Sequence, residues 1–262
     1  MTPTRPAVPA LRATWLCQVL LLLLTAVAAL PLPGAASAQS LSPQQRAEVV
    51  EVLREALKRD PTILRDAVAA MQQAQQQDRS VSQRGAIATH REALLHDVSD
   101  PVKGNPRGDV TIVEFFDVRC GYCKVLHPTM ESLLRADSGV RLVLKDLPVL
   151  GAASVTASRA LLAAQRQNKY LPLQDALMRL RGEPTEAVLQ AEAERVGLDW
   201  ARMQRDMADP ATESRLQGNL DLARALSIEG TPALVIGDTL VPGAVDLATL
   251  RKLVAEARRK PG

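Results

Sequence analysis

A strand-like run, Val110 to Asp117 (VTIVEFFD), leads within three residues into Cys120-Gly121-Tyr122-Cys123. The run is dense in β-branched and aromatic residues, as a buried strand is. A helix is predicted from Cys120 to about Arg135, and a second strand from Val140 to Lys145 (VRLVLK), ended by Pro148. Strand, helix and strand in this order form a βαβ unit with two thiols at the start of its helix. The chain has one further cysteine, Cys17, in an apolar leader. Once that leader is cut away, no thiol remains to bridge the pair structurally. The pair therefore reads as a working redox centre that cycles between dithiol and disulfide.

Residues 1–38 read as a secretory signal, with Arg5 and Arg12 at the start, an apolar run from Leu16 to Leu30, and the small-residue site Ala36-Ser37-Ala38. Pro31 and Pro33 stop the run at roughly 15 residues, short of the ~20 that span a bilayer. Cleavage near Ala38 is expected, with delivery to the bacterial envelope, where disulfides persist. Loss of the leader removes Arg5 and Arg12 and no acid, so the net charge falls from +3 to +1. Nothing in that balance points to nucleic acid.

Residues 39–98 form a helical extension. Ser42-Pro43 and Asp60-Pro61 each give a cap followed by proline. Val49, Val50, Leu53, Ala56 and Leu57, then Ile63, Leu64, Ala67, Val68 and Met71, recur at helical spacing. The stretch Gln72 to Gln77 is rich in glutamine, and a short helix is expected through Leu94 and Leu95. The apolar stripe must be buried, either on the main domain or against copies of itself. Asp100 to Asp109, with two prolines and two glycines, reads as a boundary loop. Residues 152–228 carry helical spacing with breaks near Pro172, Gly182-Pro184, Gly197 and Pro210. Ala233 to Ile236 and Thr239 to Val241 flank the turn Gly237-Asp238, and Asp246 caps a last helix to about Arg258. The order is βαβ, a helical block, then ββα.

At the helix N-terminus, unsatisfied N–H groups and the helix dipole favour a thiolate on Cys120. Cys123 stands one turn on, more buried, placed to attack a mixed disulfide at Cys120. Cys120 is thus the attacking thiol and Cys123 the resolving one. A zinc site needs three or four ligands, and only His90, His96 and His127 could join the pair. His127 reads as a flanking or partly packed residue. No metal site and no cofactor are expected, although two thiolates could take copper(I).

The segment VEFFDVRCGYCKVLHP resembles the active-site stretch of the thioredoxin superfamily, and more closely that of the DsbA-like thiol–disulfide oxidoreductases. Pro128, five residues after Cys123, is similar to the proline inside this helix in thioredoxins. Thr231-Pro232 before a strand resembles the family's cis-proline, and the helical block matches the family's insertion. The resemblance covers about residues 99–262. It implies an α/β, thioredoxin-like fold with an inserted helical domain at about 150–228 and an N-terminal helical extension. It also implies that Glu114 is a buried acid near the resolving cysteine, with a raised pKa, that helps move the Cys123 proton. Asp117 reads as a polar strand-end residue. Lys124 could favour the thiolate, though a solvated lysine is the commoner outcome.

Gly121 and Tyr122 tune the redox potential. Strongly oxidising DsbA proteins have Pro-His there, whereas Gly-Tyr resembles the bacterial disulfide isomerases. Thr231 before the proline also resembles isomerases and reductases more than oxidases. The extension, beginning SPQQRAEVVEVLREALKRDPTILRDAVAAM, is similar to that of an ScsC-type subgroup, some of whose members assemble through it. The expectation is thiol–disulfide exchange on cysteine-containing secreted proteins in the periplasm, leaning to isomerase or reductase, with a membrane redox partner. A homo-oligomer through residues 42–77 is expected with it. A disulfide-forming oxidase and a copper(I)-binding envelope protein are the alternatives.

Overall fold

The structure, a computed structural model, describes residues 41–259. The expected leader, its cleavage site and Cys17 lie outside the described residues. Contacts divide the chain between Val68 and Ala69 into two compact units.

In the first unit, α1 (Pro43–Arg59) begins with a capping box. The Ser42 hydroxyl accepts from the Gln45 N–H, and the Gln45 side chain accepts from the Ser42 N–H. These contacts satisfy two donors that a helix start otherwise leaves unpaired. Asp60 accepts from the Thr62 N–H at 3.0 Å and so starts α2 (Thr62–Thr89). α1 buries none of its residues, and Val49, Val50, Leu53 and Leu57 stay exposed.

The second unit contains α2 from Ala69 onward, α3 (Arg91–Leu95) and a five-stranded sheet. Its strands are β1 (Val102–Gly104), β2 (Val110–Phe116), β3 (Val140–Asp146), β4 (Ala233–Ile236) and β5 (Thr239–Pro242), in spatial order β1-β3-β2-β4-β5. β2 and β3 pair in parallel, with Val110 opposite Val140 and Phe116 opposite Asp146. The crossover between them is α4 (Gly121–Ala136). All other pairings are antiparallel. The block from 152 to 225 is five helices: α5 (Ala152–Gln165), α6 (Tyr170–Arg179), α7 (Glu186–Arg195), α8 (Trp200–Met207) and α9 (Pro210–Ala225). The last described element is α10 (Leu247–Arg259). This is a thioredoxin-like fold with a helical insertion.

β2 can be almost wholly buried because both faces of the sheet are covered. Val110, Ile112 and Phe116 pack with Leu126, Met130 and Leu133 of α4, with α10 and with the inserted helices. Val113 and Phe115 pack on the opposite side with Ile87 of α2, Leu94 of α3 and Leu222 of α9. Lys145, also fully buried, ion-pairs with Asp100 at 2.6 Å and donates to the Ala93 carbonyl at 2.8 Å. That contact ties α3 to β3.

One local expectation needs correction. The boundary loop contains a strand: Val102–Gly104 pairs with Arg141–Val143 at the sheet edge. Three residues are too few to show a periodicity, and the neighbouring proline and glycines mask it. The break expected near Pro172 falls at residues 166–169, just before that proline. Pro172 itself is the third residue of α6, within the first turn, where a missing N–H costs nothing. The chain turns earlier, at Asn168, with φ +57°.

Candidate active site

β2 delivers the chain to the sheet's end, and Asp117 shapes the turn from there into the cysteine helix. Its carboxylate accepts from the backbone N–H of Arg119 at 2.8 Å, of Val149 at 3.0 Å and of Leu150 at 3.1 Å. Its carbonyl accepts from the Cys120 N–H at 3.0 Å. Arg119 adds a second brace, donating to the Leu150 carbonyl and, at 2.7 Å, to Glu183. The loop before the cysteines, the loop after β3 and the segment between α6 and α7 are thereby held together.

Cys120 is the N-cap of α4 and 7% exposed, and Cys123 is wholly buried one turn on. Both are free thiols. The Cys120 thiol donates to the Thr231 carbonyl at 3.1 Å, and Thr231-Pro232 is cis. The structure thus joins Cys120, Cys123, Thr231 and Pro232 across 111 residues of chain. Gly121 has open space where a Cβ would stand, and Tyr122 is 71% exposed, as is most of Val125 one turn on. Exposed Val149 and Leu150 lie on the loop bonded to Asp117.

Burial pushes the Cys123 thiol well above its ordinary value. The nearby Cys120 and Glu114 add to that shift, and a backbone hydrogen bond from Asp117 opposes it. Glu114 is buried on the face of β2 that carries Ile112 and Phe116. Burial raises its carboxyl to about 7, and Lys103 opposes the rise. An acid that exchanges its proton near neutrality therefore stands close to a thiol that holds its own strongly.

Lys124 is anchored rather than free, donating to the Leu180 carbonyl at 2.7 Å. His127 is buried and bonds Asp175 at 2.9 Å, joining α4 to α6. His127, Glu131 and Asp175 place potential ligand atoms within 4.8 Å of one another, so this trio could hold an ion. Its carboxylates already pair with Lys103, Arg135 and Arg179.

Three features escape sequence reasoning. Asp117 is a bracing residue whose partners include backbone N–H groups 32 and 33 positions away. The Arg119–Glu183 pair spans 64 positions. Asp146 ends β3 and accepts from the Tyr170 hydroxyl at 2.7 Å, and burial raises its carboxyl to about 7. An acid closing a strand whose other residues are apolar or basic is the one available signal for that last pair.

Fold and site together define a dithiol protein with an active-site cysteine pair at a helix N-terminus. The chain belongs to the DSBA-like thioredoxin domain family, whose model matches residues 111–255. A thioredoxin-like oxidoreductase from Silicibacter pomeroyi DSS-3 is 43% identical, covers 64% of this chain and 98% of its own, and superposes with a TM-score of 0.63. ScsC from Proteus mirabilis, in a transitional conformation, is 31% identical and covers 84% of this chain and 100% of its own, with a TM-score of 0.63. The thiol-disulfide exchange protein alpha-DsbA2 from Wolbachia pipientis is 30% identical over 68% of this chain and 97% of its own, with a TM-score of 0.64. The chain spans about a quarter of the length of the curated relatives it matches. Among these is the Na(+)/H(+) antiporter NhaA 1 of Salinispora arenicola, 30% identical over 60% of this chain and 24% of the antiporter. No helix among the described residues is long and apolar enough to cross a membrane.

Proposed function

We propose that this chain carries out thiol–disulfide exchange on cysteine-containing secreted proteins in the periplasm, acting as an isomerase or reductase rather than an oxidase. The observation that carries the reading is the pairing of Cys120, at the helix N-cap and hydrogen-bonded to the Thr231 carbonyl, with a wholly buried Cys123 one turn behind it. The Cys120 thiolate attacks one sulfur of a substrate disulfide. The substrate S–S bond breaks, a mixed disulfide forms at Cys120, and the released substrate sulfur leaves as a thiolate and takes up a proton. Glu114 accepts the proton of Cys123. The Cys123 sulfur then attacks Cys120, so the pair becomes a disulfide and the substrate leaves with two electrons more. In isomerisation the released substrate thiolate instead opens a different bridge, and the thiolate freed there attacks the substrate sulfur of the mixed disulfide, forming a new substrate bridge and releasing Cys120 as the thiolate.

Gly121, Tyr122 and Thr231 support the direction of electron flow, through their likeness to isomerases. A membrane reductant, itself a dithiol, would restore the reduced pair. Refolding of a scrambled disulfide protein and the reduction potential of the pair test the reading. Recovery of native bridges, together with a potential more negative than the roughly −120 mV of strong oxidants, is expected. A potential near that value without refolding activity would overturn the isomerase reading.

The extension supports self-association. Val50, Val52, Leu53, Ile63 and Leu64 are all exposed, and a stripe of such residues is stable only when covered. Copies joined this way would hold one misfolded chain at several dithiols at once.

A further inference from the structure

A groove of about 600 Å³ opens beside the nucleophile and has no part in the exchange chemistry itself. One side is the loop carrying Thr231 and Pro232, continued by Leu240 of β5. The facing side is α2, which contributes Gln76, Arg79 and Gln83. These three stand at i, i+3 and i+7, on one helix face. The same helix is seated one turn further on, where Ile87 is buried among Phe115, Val143 and Leu222. Thr231 belongs to both places, because its carbonyl accepts from the Cys120 thiol at 3.1 Å and it lines the groove. Thr231 thus links the groove to the nucleophile.

We propose that α2 takes part in substrate recognition: Gln76, Arg79 and Gln83 form a hydrogen-bonding wall, across the groove from Thr231 and Pro232, for the extended peptide segment flanking the substrate's cysteine. The proposal rests on the exchange reading and names how that site recognises its substrate. A mixed disulfide at Cys120 tethers the substrate within reach of the groove, so even weak contacts there are populated. The volume falls within the range of sites that enclose a small ligand or a short stretch of chain. A side-chain amide both donates and accepts, so the two glutamines can bond a peptide backbone whatever side chains it carries. Among the described residues the Gln76 and Gln83 amides make no hydrogen bond to the protein. Arg79 and Glu229 give the groove one charge of each sign, and neither makes an ion pair among the described residues. That balance selects neither acidic nor basic peptides. The glutamine-rich part of the extension therefore acts as a sequence-tolerant substrate wall.

The test compares the reduction of two substrates by the full, reduced chain: a disulfide-bonded peptide and hydroxyethyl disulfide, which is too small to reach α2. Two variants are used: the triple Gln76→Ala, Arg79→Ala, Gln83→Ala, and Ser82→Trp, which fills the groove from the same helix. Both should lower kcat/KM for the peptide about tenfold, the loss expected of one or two hydrogen bonds. Turnover of hydroxyethyl disulfide should be unchanged. Unaltered peptide kinetics, or an equal loss on both substrates, would overturn the groove assignment. Failure of the unmodified chain to reduce either substrate would instead remove the exchange reading beneath it.

Discussion

Glu114 and Cys123 illustrate how burial turns two ordinary groups into a proton-transfer pair. In water the carboxyl would be ionised and the thiol largely protonated at pH 7. Inside the domain both are pushed upward, the carboxyl to about 7. Glu114→Gln should slow the release of the Cys120 mixed disulfide about a hundredfold, within the range seen for lost general-base catalysis. The rise of that release rate with pH through about 7 should vanish with it, as stopped-flow at several pH values would show. Stability carries the same signature. The native carboxyl keeps a proton that the unfolded one loses above about 4.5. Stability therefore falls as pH rises from about 4.5 to 7, by up to about 1.4 kcal/mol per pH unit for one group. Glu114→Gln should lessen the slope without abolishing it, since Asp146 is raised to about 7 in the same way.

At the scale of elements, the end of β2 is held by groups that local pattern does not reveal. Asp117 lies between a legible strand and a legible helix, so it reads as a polar terminus. Its role comes from three backbone N–H groups, two of them from the loop after β3. Asp117→Ala strips the shared acceptor from three backbone donors at once and should cost about 2 kcal/mol, measured as a lowered urea midpoint. Asp117→Asn, whose amide oxygen still accepts, should recover part of that loss. The strand, the cysteine helix and the hairpin are legible because each arises from composition over a few neighbouring residues. Gly237 is one such case, taking φ +61° in the two-residue turn between β4 and β5. The edge strand β1 is not, because it depends on which partner the fold brings alongside.

For the whole molecule, the sequence pattern carries the order of elements, the cysteine pair and the proline that faces it. It does not carry the placements that join distant segments into one site, such as the bond of Arg119 to Glu183 or the facing of Gln76 and the Thr231 loop across the groove. Those depend on how the inserted helices and α2 pack, which no short window encodes. The extension itself makes a separate prediction. Leu53→Glu with Leu57→Glu places charge in the exposed stripe of α1 and should convert an oligomer to a monomer in light scattering. Reduction of hydroxyethyl disulfide by each active site should be unaffected, while refolding of scrambled proteins should fall.

The central claim is that Cys120 takes up the substrate's sulfur and Cys123 releases it. Mass spectrometry of reduced Cys123→Ser protein mixed with a disulfide-bonded peptide tests this most directly. One peptide-sized adduct, mapped to Cys120, is predicted to persist where the unmodified protein shows none because Cys123 has displaced it. Absence of an adduct on Cys120, or an adduct equally long-lived on the unmodified protein, would contradict it.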